Sequence, residues 1–239
     1  MHVSDFDEST EIVRMGRGAG VIVTCEHASE RLPAPWQWPR EDRWLLGTHW
    51  AFDLGAASLA HEYAEMVGCV AVLARFTRLL CDPNRPESSP TLFRTEAEDL
   101  PVHLNADLDD AERERRLERY YRPFHEAVSR EVAATTADVL LAMHTFTPVY
   151  EGFVRELEVG VLFDHEEALA ERLVRGIADA GFLVEPNEPY SGREGLIHVA
   201  HTHAERHGRR AIEIEVRQDL ATDPAFRARF VPVLASLIG

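Results

Sequence analysis

The stretch VIVTCEHASERLP, residues 21–33, decides how the rest of the chain is read. Val21 to Cys25 is a run of strand length, apolar or β-branched throughout, with no polar alternation. A strand of that kind is buried on both faces, which is the condition of a parallel sheet covered by helices. The run then breaks into Glu26, His27, Ser29 and Glu30 before Pro33 ends the segment. In open α/β sheets functional groups collect where strands end at their carboxyl side, so this abrupt change of polarity marks a candidate site rim.

The same signature repeats along the chain. CVAVLARF (69–76), ADVLLAMH (137–144) and VGVLFD (159–164) are further apolar runs, FLVEPNEPY (182–190) reads as strand then turn, and RAIEIEVRQDL (210–220) alternates strictly. Between them, residues 41–67 carry helical spacing, with Leu45, Leu46, Leu54, Leu59, Tyr63 and Met66 on one side. A second helical pattern, 109–136, is opened by Asp109 and Asp110 and divided by Pro123; others cover 165–181, with Gly181 as its stop, and 223–238. Strands alternating with helices predict an α/β fold with a mixed, mostly parallel sheet and helices on both faces. No linker-like segment or internal repeat interrupts it. Residues 1–239 are therefore expected to form a single domain, with 1–18 as a loosely ordered N-terminal extension.

Composition bounds the function. The chain has 239 residues, 45% hydrophobic and 28% charged, the balance of a globular protein with one sizeable core. Its net charge is −16, from 41 Asp+Glu against 25 Lys+Arg, which speaks against nucleic acid or an anionic membrane surface as partner. A small anionic substrate is still compatible with it, because a local arginine dominates its own pocket. No apolar stretch has the length of a membrane span, and the acidic start lacks a signal-peptide pattern. Cys25, Cys69 and Cys81 are odd in number and irregularly spaced, as free thiols of a cytoplasmic protein would be.

The polar residues that follow the apolar runs form a set. His27 follows the first strand; Asp82, Asn84 and Arg85 follow the second; His144 ends the third; and Glu213, Glu215, Arg217 and Asp219 lie on or after the last. Each alone is explained by turn and capping chemistry. Together they converge on one edge of the predicted sheet.

The segments CEHASERLP, AFDLGAA, RLLCDPNRP, MHTFTPVYEG, NEPYS and IEVRQDL, in this order from about residue 20 to 220, resemble the successive signatures of the N-formylglutamate amidohydrolase family, in its shorter branch. The resemblance implies a phosphorylase/hydrolase-like three-layer α/β/α sandwich, similar to zinc carboxypeptidases and aspartoacylase-like enzymes. It implies a metal-dependent hydrolase that cleaves the amide of an N-acylated acidic amino acid, N-formyl-L-glutamate foremost, a step of histidine degradation.

Hydrolysing an amide near neutral pH needs an activated water, a polarised carbonyl and a proton donor for the amine. A divalent ion, zinc foremost, on three protein ligands supplies the first two. His27 and His144 hold matched positions after two strands and are the expected imidazole ligands. For the third there are two choices. Asp53 in AFDLGAA sits where the family signature carries an acid, whereas Glu30 makes a His-x-x-Glu pattern with His27, as in the carboxypeptidase-like relatives; Asp53 is preferred. Arg85, with Asn84 beside it, is suited to a substrate carboxylate by its planar fork of donors, and Arg155 is a candidate for a second carboxylate. Glu215 is expected as general base and acid, a role carried by its place in IEVRQDL, since Glu213 shares its strand face.

Three features get a plain reading. The histidine-rich stretch HVAHTHAERHG (198–208) is a polar helix surface from which only His203 is a candidate to reach the site; ERERRLER (112–119) is a solvated helix face; and Cys25 is a buried thiol. Glu26 is expected to point away from His27 and to shape the loop. The rival classes are a carboxypeptidase or deacylase for another small carboxylate-bearing amide, and a silent binding protein on the same scaffold.

Overall fold

A mixed eight-stranded sheet runs through the computed structural model, which describes residues 3–16 and 19–239. In chain order the strands are β1 (Val3–Phe6), β2 (Thr10–Arg14), β3 (Val21–Cys25), β4 (Val70–Ala74), the short pair β5 (Glu96–Ala97) and β6 (Leu100–Pro101), β7 (Val139–Phe146), the hairpin β8 (Val149–Tyr150) and β9 (Phe153–Val154), β10 (Val159–Leu162), β11 (Val184–Pro186) and β12 (Arg210–Arg217). The helices are α1 (Ala56–Val67), α2 (Asp110–Arg116), α3 (Arg122–Ala134), α4 (Glu167–Asp179), α5 (His198–His207), α6 (Gln218–Ala221) and α7 (Pro224–Leu237). The large sheet has the order β1-β2-β4-β3-β7-β12-β10-β11. Its centre, β4-β3-β7-β12, is parallel throughout, while β2 on one side and β10 on the other pair antiparallel to it.

Each central strand is buried along its length, as its unbroken apolar run requires, and the two faces bury into separate cores. Val21, Val23, Cys25, Leu141, Met143, Ile212 and Ile214 face α1, α4 and α7. Ile22, Val70, Val72, Leu140 and Ala142 face α3 and α5. A third, smaller core of Leu45, Ala51, Leu79, Ala97 and Val102 holds together the long excursions that leave β3 and β4.

Three expectations change. The N-terminal segment is no loose extension: Thr10–Arg14 pairs with β4, and Ile12 and Val13 go into opposite cores. Residues 1, 2, 17 and 18 lie outside the described residues. The 41–67 pattern is not one helix; a 3-10 turn at Arg40–Leu45 and a loop precede α1. Leu45 and Ala51 tie that segment into the small third core, while Leu59 and Tyr63 of the same pattern lie on α1 and Leu46 is exposed. In ERERRLER, Arg116 is 2% exposed, donating to the Leu80 carbonyl and Asn105 Oδ1. The division at Pro123 is present: α2 ends, a π-turn covers Leu117–Tyr121, and α3 begins with the proline in its first turn.

Candidate active site

Sheet register assembles the site. His144 on β7 is the direct neighbour of Glu215 on β12, and Ala142 of Glu213, so His144 and both glutamates share one face. Thr24 on β3 is opposite Ala142, which brings the β3 end level with the same row. The loop before α1 is pinned to that end by the Asp53 amide, which donates to the His27 carbonyl at 2.9 Å. A glycine makes this approach feasible. Gly55 has φ +87°, and a Cβ there would lie 2.6 Å from the Ala221 carbonyl carbon, so only glycine lets the loop pass this close to α6.

The result is a buried cluster of His27, Asp53 and His144, with one ligand atom from each within 4.8 Å of the others. Asp53 Oδ2 lies 2.8 Å from His144 Nδ1 and 3.4 Å from His27 Nδ1. The far nitrogens are held by carboxylates: His27 Nε2 is 2.7 Å from Asp82 Oδ1, and His144 Nε2 is 2.7 Å from Glu26 Oε2. Arg78 in turn donates to Asp82 at 2.7 Å and lies 3.6 Å from Asp53. A carboxylate on the outer nitrogen fixes each ring's tautomer and leaves the inner nitrogen as a lone-pair donor.

The cluster fits a divalent cation. His27 Nδ1 is buried with no hydrogen-bond partner among the described residues, although it faces Asp53. Two imidazoles and a carboxylate are a catalytic zinc donor set. The electrostatics agree. Burial opposes charge on His144, but the carboxylates of Glu213, Asp53 and Glu26 raise its pKa well above the usual imidazole value. Burial likewise works against ionised Asp53 and Asp82, yet the His27 and His144 rings hold Asp53 far below the usual carboxylate range, and Arg78 with His27 does the same for Asp82. Protons thus sit on this cluster where a cation would replace them.

Glu213 and Glu215 adjoin these pairs, with Glu213 Oε2 3.7 Å from His144 Nε2. Oε2 of each is buried without a hydrogen-bond partner among the described residues. Burial pushes Glu213 up to about 7; burial, and next the charge of Glu213, pushes Glu215 well above the ordinary carboxylate range. Both line a cavity of about 320 Å³, together with His27, Asp53 and His144. The same cavity is also lined by Arg78, Arg85 and Arg94 and by Trp50, Phe146, Tyr150 and Tyr190.

The remaining expected residues fall in different places. Arg85 lines the cavity with no ion-pair partner among the described residues; one of its nitrogens donates to the Asn84 carbonyl. Asn84 also lines it, but both ends of its amide are engaged, Nδ2 by the Leu196 carbonyl and Oδ1 by the Val199 amide, so it anchors the start of α5 and has little left for a carboxylate. Arg155 is not among the lining residues. It donates to the Thr147 carbonyl and hydroxyl and is stacked against Phe146, Tyr150 and Tyr190, bracing the β8–β9 hairpin. Glu30 is turned outward, accepting from the Gly47 amide, away from the cluster.

Sequence reasoning missed Arg78 and Arg94, and it gave Glu26 and Asp82 no role on the histidine rings although Asp82 stood in the converging set. Glu26 is fully buried on the His144 ring, not a loop-shaping residue. Its signal was its phase: it continues Ile22 and Thr24, which face the site, while His27, past the strand end at Cys25, no longer obeys alternation. His203 does not reach the cavity either. It is 1% exposed and packed on His125, so α5 is no polar surface helix; its Val199, Ala200 and Ala204 also point into the core.

Comparison with known proteins bears on the fold and the family. Among solved structures, a gene product of Agrobacterium tumefaciens is 33% identical over 98% of this chain and 94% of its own, with a TM-score of 0.90. An N-formylglutamate amidohydrolase from Ralstonia eutropha has the same fold, at 20% identity, 97% and 99% coverage and a TM-score of 0.75. No curated protein matches the chain. The model of the family described as N-formylglutamate amidohydrolase matches residues 19–222, spanning every strand end that builds the site, and to that family the chain belongs.

Proposed function

We propose that the chain is a metal-dependent amidohydrolase that cleaves an N-acylated acidic amino acid, N-formyl-L-glutamate foremost, to formate and L-glutamate. The observation that carries this reading is the inward-facing set of His27 Nδ1, His144 Nδ1 and Asp53 Oδ2, with one nitrogen left unpartnered in a buried cleft. A divalent ion bound there supplies Lewis acidity toward the carbonyl and a lowered pKa for water.

The protein's own groups do the rest. Glu26 and Asp82 keep the two rings in the ligating tautomer and orientation. Glu215, on the cavity wall beside His144, takes the proton of the attacking water at its free oxygen and returns it to the departing amine. Its burial suits this, because a carboxylate with a raised pKa is the stronger base toward the water and keeps the proton until the amine departs. Arg85, which lines the same cavity, binds the substrate carboxylate and so holds the scissile amide in place.

The aromatic wall of Trp50, Phe146, Tyr150 and Tyr190 favours a second reading, a deacylase for an acyl group larger than formyl. A panel of formyl-, acetyl- and longer acyl-glutamates, acyl-aspartates and short peptides, assayed alongside metal analysis, decides between them. About one zinc per chain and fastest turnover of N-formyl-L-glutamate are expected. Release of C-terminal residues from peptides, with acyl-glutamates untouched, would make the chain a carboxypeptidase, and full activity without metal would remove the mechanism.

A further inference from the structure

The cavity that His27 and His144 line also holds three arginines, in a protein of net charge −16. Arg78 is spent on Asp82 and Asp53. Arg85 and Arg94 have no ion-pair partner among the described residues. The environment of Arg94 is built rather than incidental. Its guanidinium lies over the Trp50 ring, 5.1 Å from the centroid, and Trp50 is oriented in turn by donating its indole N–H to Glu98 at 3.2 Å. The Arg94 carbonyl is pinned by Asn105 Nδ2 at 2.8 Å, and Asn105 is locked by the buried guanidinium of Arg116. This bracing explains why an arginine in a charged helix pattern is buried far from solvent.

We infer that Arg94, laid across Trp50, is a second anion subsite: it holds the distal carboxylate of a dicarboxylate substrate while Arg85 holds the one nearer the amide. The inference deepens the functional reading above and rests on it for the orientation of the substrate. A guanidinium flattened on an aromatic face has lost most of its rotamer freedom before an anion arrives, and its in-plane N–H groups remain free to fork a carboxylate. Burial disfavours its charge, and Arg78 and Arg85 disfavour it further, so an anion entering among them relieves repulsion as well as forming bonds. The role expected for Arg155 passes to Arg94, because Arg155 is held by Thr147 and the aromatic stack.

The test is titration calorimetry of the protein as purified with glutarate, which has two carboxylates, and butyrate, which has one. Arg94→Gln should weaken glutarate roughly ten- to a hundredfold, the size of a charged hydrogen bond, and leave butyrate within about twofold. Arg94→Lys, which keeps the charge without the fork, should fall between. Arg85→Gln should weaken both ligands. Glutarate binding as tightly to Arg94→Gln as to the parent, or both ligands weakened equally by that variant, overturns the subsite; so does a parent that does not prefer glutarate. The reaction is judged separately by comparing N-formyl-L-glutamate with N-formyl-L-norvaline. Arg94-dependent glutarate binding without hydrolysis of either leaves the subsite standing and sinks the reaction. Hydrolysis of both at equal rates by parent and Arg94→Gln does the reverse.

Discussion

Two ring-packed histidine pairs in this molecule are opposites. His27 and His144 have ring centroids 4.8 Å apart; His125 and His203 have theirs 5.2 Å apart. Around the first pair stand Asp53, Asp82, Glu26 and Glu213. At the second the direct partners are neutral: His125 Nε2 lies 3.1 Å from the Pro83 carbonyl and its Nδ1 lies 3.0 Å from His203 Nε2; His198, His207 and Arg206 are close by, and the carboxylates of Glu26 and Glu87 exert a weaker pull. Carboxylates raise the pKa of His144, whereas burial and neighbouring positive charge hold His125 down to about 4 and His203 to about 3. The ring spacing is alike in the two pairs. What makes one a candidate cation site and the other a neutral strut is the ring of carboxylates, and nothing in the histidines themselves.

The sharpest way to break this contrast is to remove a ring from each pair. His144→Ala or His27→Ala should empty the metal site and abolish hydrolysis, read by metal analysis and assay. His203→Leu should keep about one metal per chain. A His144→Ala protein that retains its metal, or a His203→Leu protein that loses it, would assign the wrong pair.

The next largest effect concerns the carboxylates that are left unpaired. Glu215→Gln should lower kcat by about a hundred- to ten-thousandfold with metal content and KM little changed, and Glu213→Gln should be much milder. The reverse ranking would move the base one strand repeat along β12. Glu26→Gln and Asp82→Asn test the ring of carboxylates directly. Each should weaken metal binding about ten- to a hundredfold in a chelator competition, because each orients one ligating imidazole. Unchanged affinity in both would mean that the outer carboxylates only fill space.

The smallest effect belongs to the second pair. His125 and His203 are neutral in the fold at pH values where the unfolded chain, with an imidazole pKa near 6.5, already binds protons. Stability from this pair is therefore complete above about pH 6.5 and lost as pH falls from there toward 4. Urea unfolding of His203→Leu should show a loss between pH 7 and 4.5 that is smaller than the parent's by about 1–2 kcal/mol. Identical slopes would mean that the pair is already charged in the native state.

Much of this was open to reading from the chain. The central strands are visible because buried parallel strands have unbroken apolar runs, and His27, Asp53 and His144 stand at strand ends or in motifs that the loops carry to one place. Glu26 and Asp82 were hidden because a carboxylate beside a turn has a sufficient local explanation, and only the fold shows which imidazole it meets. Arg94 belongs to no motif and comes from the excursion between β4 and β7; its partners Trp50 and Asn105 are remote in sequence or carry no signal. Arg155 was misassigned for the converse reason. A cation after a site-like motif looks available until its place outside the cavity lining, with one nitrogen on Thr147 and its guanidinium against Phe146, Tyr150 and Tyr190, is seen.

One contact couples the halves of the machinery without any side chain of its own. Gly55 follows the Asp53 loop, and its Cα rests against the backbone of Ala221, in the helix that continues directly from the strand of Glu215. The spacing between the carboxylate that faces the imidazoles and the carboxylate that moves the proton is thus set by a gauge one hydrogen atom thick. Thickening it by a methyl group would widen both distances at once, and the defect would look like damage to the chemistry although every reacting group remained in place.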